Sequence, residues 1–126
     1  TGNSVSLWAV RAAVYLALLG PVGMRELAET VAANARRTAE LLAAVPGGSV
    51  RYGDRIFKEF VVDFSGTGRS VEEINAALLE RGILGGHDLT GSHPALDQCA
   101  LYCVTEVVSE NDVRKLISAL EEVVPA

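Results

Sequence analysis

Hydrophobic and polar residues follow a different period in successive parts of this chain, and the period predicts which element each part forms. The first segment, from Val5 to Leu19, is apolar at almost every position and is interrupted only by Ser6 and Arg11. A helix that is apolar on all sides is normally buried on all sides. We therefore predict that residues 1–20 form a buried helix linking this chain to a large domain outside it.

The same segment could be mistaken for a membrane span. It is shorter than the roughly 20 apolar residues that a spanning helix needs, and Arg11 lies at its centre. The sequence therefore predicts no membrane partner.

A second helix is predicted from Gly20-Pro21 to the helix-breaking Pro46-Gly47-Gly48, since proline suits a first helical turn. Its charged residues lie mostly away from the apolar ones, which predicts an amphipathic helix on the surface of a small α/β domain formed by residues 21–126. The apolar positions follow steps of three and four: Met24, Leu27, Ala28, Val31, Ala35, Ala39 and Leu42.

After the breaker the period changes to two, which is typical of a strand with one face on a core. In "RIFKEFVVDFSG" one face carries Ile56, Phe60, Val62 and Phe64, and the other carries Phe57, Glu59, Val61 and Asp63. Ser70 stands three residues before Glu73, which predicts a capping box opening a helix that Gly82 ends.

The remaining segments complete a predicted order of helix, helix, strand, helix, strand, strand, helix. "ILGG", residues 83–86, reads as a short strand, and residues 100–108 read as another. Ser109 with Asp112 should cap a final helix ending near Val124. This order predicts a two-layer α/β sandwich, with a small mixed or antiparallel sheet and the helices packed on one side.

Composition narrows the class of protein. At 126 residues, with 49% hydrophobic and 21% charged residues, the chain has enough apolar residues for one globular domain. Its net charge is −5, with 11 Lys and Arg against 16 Asp and Glu, and no basic run could follow a phosphate backbone. Nucleic acid is therefore excluded as an expected partner.

The two cysteines, Cys99 and Cys103, are four residues apart in a predicted strand. Their Cα atoms would lie roughly 13 Å apart, beyond the limit of about 7 Å for a disulfide. Free thiols favour a reducing compartment, so we predict a cytoplasmic protein. Two cysteines and two histidines make a poor metal site, and we expect no metal.

Common catalytic motifs do not occur: there is no phosphate-binding loop, no GxSxG, no HExxH and no GxGxxG after a strand. The only lysines are Lys58, in a strand, and Lys115, on an amphipathic helix. Neither stands in the setting that a Schiff-base lysine of a pyridoxal phosphate enzyme requires. We therefore expect this chain to bind no cofactor.

Polar residues near strand ends are the remaining candidates for a site. The catalytic candidates are the four residues Glu59, Asp88, Thr105 and Glu106. Gly85 and Gly86 permit close approach of another backbone, and His87 follows them, so these three are interface candidates. His93 lies near them, but a histidine in a loop is more often hydrogen-bonded scaffold than catalyst.

Four stretches together resemble one family: "AAVYLALLGPVGMRELAE", "FKEFVVDF", "RGILGGHDL" and "CVTEVVSENDVRKLISALEEV". They look like the C-terminal domain of the glycine cleavage system P-protein, subunit 1 of the two-subunit bacterial form. The resemblance runs from about Leu7 to Val124. It departs at Lys58, where the family usually has Asn, and in residues 1–6.

The resemblance implies a fold, an activity and partners. The family is a pyridoxal phosphate glycine decarboxylase of the aspartate aminotransferase fold, which passes an aminomethyl group to the lipoyl arm of the H-protein. It implies that subunit 2 holds the cofactor and that subunit 1 completes the assembly. This chain is then expected to be inactive alone, with an interdomain and subunit-contact role.

Two other functions are compatible with the same order of elements. The segment from Ile56 to Val124 resembles a free-standing ferredoxin-like regulatory module, which would bind an amino acid near Gly85-Gly86. The chain could also be the small domain of another enzyme of the pyridoxal phosphate fold.

Overall fold

The computed structural model describes residues 5–124. Residues 1–4 of the predicted linking helix and residues 125–126 of the predicted small domain lie outside the described part. The helices and strands, in chain order, are α1 (Val5–Ala43), β1 (Ser49–Arg51), β2 (Glu59–Asp63), α2 (Val71–Glu80), β3 (His87–Asp88), β4 (Cys99–Cys103) and α3 (Glu110–Val123).

Helix α1 is broken at Gly20, where the backbone leaves the helical region with φ 59° and ψ −173°. That region is open almost only to glycine. Pro21, which cannot donate a backbone hydrogen bond, follows the break. The break divides α1 into an N-terminal arm, residues 5–19, and a C-terminal arm, residues 21–43, so the predicted helix junction is confirmed.

The N-terminal arm has no cover within this chain. Residues 5–18 are all exposed, and Trp8 and Leu18 keep 65% and 81% of their surface open. The arm's one charged group, the guanidinium of Arg11, lies 4.8 Å from the centre of the Trp8 ring. The predicted burial of this helix is therefore not met by residues 5–124, and any cover must come from another body.

By length and composition, α1 is the one helix among residues 5–124 that could cross a membrane. This is weak evidence, because core helices of soluble proteins and signal sequences meet the same criteria. The break at Gly20 leaves an apolar arm shorter than the roughly 20 residues that a span needs. The absence of a membrane span remains a prediction.

The four strands form one sheet in the order β1-β2-β4-β3, and every neighbouring pair is antiparallel. Of the two predicted alternatives, mixed or antiparallel, the second is confirmed. The longest pairing joins β2 and β4, from Glu59 opposite Cys103 to Asp63 opposite Cys99.

Two predicted strands need correction, and one observed strand was missed. Strand β1 was not predicted, because three residues are too short to show a period. Residues 83–86 are not a strand; pairing begins only at His87, since the chain first has to leave the end of α2. Strand β4 ends at Cys103, because the chain turns away after Val104, so Thr105 and Glu106 follow the strand and do not interrupt it.

One hydrophobic core joins a single face of the sheet to all three helices, which confirms the predicted sandwich with its helices on one side. The alternate residues Phe60 and Val62 of β2 are buried, as the period of two predicted. The core also contains Ala35, Ala39 and Leu42 of α1, Ile74 and Leu78 of α2, Ala100 and Tyr102 of β4, and Leu120 and Val123 of α3.

The predicted capping box of α2 and the predicted cap of α3 are both present, and each is a capping box. At the start of α2 the hydroxyl of Ser70 accepts from the backbone N–H of Glu73 while the Glu73 carboxylate accepts from the backbone N–H of Ser70. Ser109 and Asp112 make the same exchange at the start of α3. Hydrogen bonds from the two serines lower the pKa of the Glu73 and Asp112 carboxyl groups. These bonds fix where the two helices begin.

An ion pair between the exposed Arg51 and the buried Asp63, which the sequence did not predict, joins β1 to the end of β2. Asp63 is 7% exposed; its Oδ2 accepts from Arg51 Nη2 at 2.7 Å, and its Oδ1 accepts from the backbone N–H of Ser65 at 2.9 Å. Burial raises the pKa of the Asp63 carboxyl, but the hydrogen bonds from Ser65 and Arg51 outweigh it, and the pKa is lowered.

We expect Asp63→Asn to lower the free energy of unfolding at pH 7 by about 1–2 kcal/mol, because a buried charged acceptor of three hydrogen bonds is lost. A lowered folded-state pKa stabilises the fold above the unfolded value of about 3.9, and this contribution is lost as pH falls through the folded value. Urea denaturation at pH 7 and about pH 3 should therefore show the variant and the wild type converging in acid.

The exposed Asp54 provides the matched control. Its side chain is 78% exposed and 3.6 Å from Arg55, so Asp54→Asn should change stability little at either pH. Equal losses in the two variants would contradict the role given to Asp63.

Candidate functional site at the Gly85–Gly86 segment

Helix α2 ends in a way that sends residues 83–86 along the edge of the sheet. Gly82 takes a left-handed conformation, with φ 71°. Its N–H donates to Leu79 O at 2.9 Å, and the N–H of Ile83 donates to Leu78 O at 3.0 Å. This is the Schellman arrangement, and glycine accommodates it without strain. The predicted helix end at Gly82 is thus confirmed.

Gly85 and Gly86 are needed for close approach to other parts of this same chain. A Cβ on Gly86 would lie 2.6 Å from Cε2 of Tyr102 and 2.9 Å from Cβ of Ala100, and a Cβ on Gly85 would overlap the Asn75 amide. The Asn75 Nδ2 group donates to Gly86 O at 2.8 Å. The segment is therefore fitted between α2 and β4. The approach of another domain or subunit to the outer side of this segment remains a prediction.

His87 and Asp88 do not form a catalytic pair. They are consecutive in β3, so their side chains point to opposite faces of the sheet. His87 is exposed, whereas Asp88 is half-buried and its Oδ1 accepts from the backbone N–H of Thr90 at 2.7 Å. Asp88 thus stabilises the turn after β3. His93 is exposed, with Nδ1 at 2.9 Å from Ser92 Oγ.

Glu59 and the pair Thr105-Glu106 lie at one end of the sheet. Glu59 is opposite Cys103, and the N–H of Val104 donates to Lys58 O at 2.8 Å, so the β2–β4 pairing leads directly to residues 105–106. Glu59 and Glu106 are exposed, and the half-buried Thr105 accepts from Asn34 Nδ2 through its carbonyl at 3.4 Å. The structure brings these residues to one end of the sheet, where Glu59 and Glu106 are exposed to solvent.

The residue that sequence reasoning missed is Tyr102. Its side chain is 6% exposed, and its hydroxyl has no hydrogen-bond partner within residues 5–124. Burial raises the pKa of the Tyr102 hydroxyl to about 12, and a backbone contact with Gly86 acts in the opposite direction. The only signal in the sequence was that this apolar strand carries a tyrosine and not a phenylalanine. A buried tyrosine hydroxyl normally has a hydrogen-bond partner, so such a residue invites a search for one.

The cysteines and the possible metal ligands can both be assessed within residues 5–124. Cys99 and Cys103 are both free, as their spacing predicted, with Cys99 buried and Cys103 exposed. Burial raises the pKa of the Cys99 thiol. No group of three or more His, Cys, Asp or Glu side chains among residues 5–124 is placed to hold a metal ion.

The residues of this chain do not fit pyridoxal phosphate. Lys58 and Lys115 are both exposed, and a Schiff-base lysine needs an enclosed or electrostatically tuned setting. Lys115 lines an open groove between α2 and α3 that also carries Arg81 and Arg114. None of the catalytic candidates contacts that groove. The geometry supports a packing and contact surface more than a reaction centre.

Comparison with known proteins identifies close relatives of this chain, although a scan against protein-family models finds no match. It is 40% identical over 118 residues to the probable glycine dehydrogenase (decarboxylating) subunit 1 of Desulforamulus reducens, which covers 94% of this chain and 26% of that protein. For the Coxiella burnetii protein of the same name the identity is 37% over 114 residues, covering 90% and 25%. The chain thus spans about a quarter of the length of these relatives.

A solved structure agrees in fold. The crystal structure of glycine decarboxylase (P-protein) of the glycine cleavage system, in inhibitor-bound form, matches 98% of this chain and 27% of its own. The TM-score is 0.85 at 32% identity. The similarity to subunit 1 of the P-protein that the sequence motifs predicted is therefore confirmed, and it extends over nearly the whole chain.

Proposed function

We propose that this chain is the C-terminal small domain of a glycine dehydrogenase (decarboxylating) subunit 1, in a cytoplasmic glycine cleavage system. The parent complex would decarboxylate glycine with pyridoxal phosphate and pass the aminomethyl group to the lipoyl H-protein. Subunit 2 would hold the cofactor. The supporting observation is the 40% identity over 94% of the chain to a protein of that name, together with the shared fold.

Within that complex, the chain would supply packing surfaces and no chemistry of its own. The N-terminal arm supports this role, because an apolar helix exposed on every side needs cover on every side. One flat partner cannot provide that, so the arm would lie between the large domain of its own subunit and a second surface, with subunit 2 as the candidate. Lysine side chains unsuited to the cofactor support the same role.

Topology alone does not separate this proposal from the ferredoxin-like alternative. β4 lies between β2 and β3, and α2 connects β2 to β3, which is the split β-α-β arrangement that ferredoxin-like modules share. The exposed apolar arm favours the enzyme domain, because free-standing soluble modules rarely expose an apolar patch as large as a whole helix.

A chimera tests the proposed function. The corresponding quarter of Desulforamulus reducens subunit 1 would be replaced by this chain and purified with its subunit 2. We expect the chimera to pair with subunit 2 and, with pyridoxal phosphate and H-protein, to release carbon dioxide from glycine. A chimera that folds and pairs but stays inactive would contradict the proposal.

The matched control changes only the arm. A second chimera carrying Leu7→Ser, Val14→Ser and Leu18→Ser alters residues that are 77%, 53% and 81% exposed in this chain. It should fail to assemble with subunit 2, while the same substitutions in the isolated chain leave the core intact. Normal assembly of this chimera would show that the N-terminal arm does not contribute to the interface with subunit 2.

The isolated chain is expected to be inert towards cofactor and substrate. After incubation with pyridoxal phosphate and borohydride reduction, mass spectrometry should show no stoichiometric adduct on Lys58 or Lys115. Calorimetric titration with glycine should show no saturable heat. A stoichiometric adduct would contradict the assignment of the cofactor to subunit 2, and saturable glycine binding would favour the regulatory module.

A further inference from the structure

An open groove of about 380 Å³ lies between residues 83–86, β4 and α3. Its walls are mostly aliphatic, and they come from the segment after α2, the end of β4 and the start of α3: Ile83, Leu84, Val104, Val108, Val113 and Leu116. Leu84, on the rim, keeps 85% of its surface exposed. Such a groove suits an apolar occupant that would cover it.

The N-terminal arm has the shape and the surface to occupy such a groove. Its residues 5–19 make a helix about 22 Å long, at 1.5 Å per residue. One side of the arm carries four exposed residues at steps of four, three and four: Leu7, Arg11, Val14 and Leu18. This is the spacing with which a helix places anchors in an apolar groove.

The arm and the groove each carry one charged side chain, and the two charges are opposite. Arg11 is the only charged residue among residues 5–19, and Asp112 is the only one among those that line the groove. Asp112 Oδ2 accepts from the N–H of Ser109 at 3.0 Å and from its hydroxyl at 2.6 Å, whereas no described residue donates to Oδ1. An entering guanidinium would therefore find a carboxylate oxygen, which offsets the cost of removing its charge from water.

The arm and the groove of one chain are not in contact. Residues 5–18 are exposed throughout, and the groove touches α1 only at Thr38, roughly 27 Å along the helix axis from the break at Gly20. An arm that fills this groove must therefore come from another copy.

We propose that two copies of this chain form a symmetric dimer in which each places its N-terminal arm in the groove of the other. Each copy then buries one arm and one groove, which brings the contact to the order of the roughly 800 Å² per partner of a standard stable interface. The dimer is a property of the 126-residue chain by itself. It goes beyond the proposed role in glycine cleavage, in which other parts of the complex would cover the arm.

Sedimentation of the 126-residue chain over a dilution series tests the proposal. We expect a species of twice the 13.3 kDa monomer mass. Leu18→Asp in the arm and Leu84→Asp in the groove should each raise the dissociation constant at least about tenfold, because an unpartnered carboxylate would be desolvated at both contacts. Both residues are more than 80% exposed, so circular dichroism should show an unchanged fold. Phe57→Asp, which places the same charge on an exposed residue outside the groove, should dimerise as the wild type does.

A mixture of the two weakened variants separates this exchange from other modes of association. A mixed pair keeps one intact arm facing one intact groove, so equimolar Leu18→Asp and Leu84→Asp should form more dimer than either variant alone. The proposal is overturned if the wild type stays monomeric up to about 100 µM, since interfaces of this size bind in the micromolar range or tighter. It is equally overturned if Leu84→Asp dimerises as the wild type does, which would mean that the arms pair with each other, or if Phe57→Asp also loses the dimer.

Discussion

Replacing Phe64 by alanine is expected to lower the free energy of unfolding by about 3–5 kcal/mol, the largest single effect in this chain. Phe64 has no exposed surface, and its ring meets that of Tyr102 with centroids 6.4 Å apart. The substitution removes a whole aromatic ring from water-free surroundings and leaves a cavity that the sheet and helices can fill only in part. Urea denaturation followed by circular dichroism would measure the loss.

Phe57 is the matched control for that substitution. It has the same side chain seven positions earlier but is 53% exposed and lies before β2 begins. Phe57→Ala should change the free energy of unfolding of the isolated chain by no more than about 0.5 kcal/mol. If both variants lose the same stability, Phe64 does not occupy the core position described above.

Adding one methyl group at Gly86 is expected to cost about 2–3 kcal/mol of stability. The new Cβ would meet the Tyr102 ring at 2.6 Å and the Ala100 Cβ at 2.9 Å, and neither neighbour is a flexible side-chain end. Strand β3 is only two residues long, so relief of the clash should loosen its pairing with β4. Thermal melting would report the loss, and amide exchange at Leu89, whose N–H donates to Cys99 O, would report the loosened strand.

Gly53 provides the comparison for Gly86. A Cβ there would have its nearest neighbour at 3.9 Å, and its φ is not positive, so Gly53→Ala tests the backbone effect of losing a glycine without a clash. It should be neutral within about 0.5 kcal/mol or slightly stabilising. A Gly86→Ala variant as stable as Gly53→Ala would show that the segment can move away from the sheet freely.

The sequence predicted those elements whose signals are local. Ser70 with Glu73 and Ser109 with Asp112 mark their helices because the bonds join residues three apart. The junction at Gly20-Pro21 was predictable for a related reason. Glycine widens, and proline restricts, the backbone conformations available at its own position. In β2 the period of two identified Phe60 and Val62 as buried, because one face of the strand meets a core.

Features that depend on distant partners were not predictable in the same way. Strand β1 exists because Ser49, Val50 and Arg51 pair with β2, and three residues carry no period of their own. Residues 105–108 were predicted to continue the strand, but strand length is set by the neighbours available for pairing. Family resemblance gave the relatives without assigning a role to any polar residue.

The candidate site was harder to predict from the sequence than the strands were. His87 and Asp88 attracted attention because they are adjacent in sequence, and that adjacency in a strand is what separates their side chains. Tyr102 attracted none, because an aromatic residue in an apolar strand is normally core. The burial of its hydroxyl becomes evident only once Gly86, Phe60 and Phe64 are in place around the ring.

The position of β4 has a consequence for how the chain folds. This strand lies inside the sheet, between β2 and β3, yet of the four strands it is the last along the chain. Until it emerges, β2 has one paired edge and one open edge, with Phe60 and Val62 exposed beside it. The pairing of β2 with β4 joins distant parts of the chain, so closure of the sheet should be the slow step. A nascent or truncated chain ending before Cys99 would be prone to aggregate through that open edge.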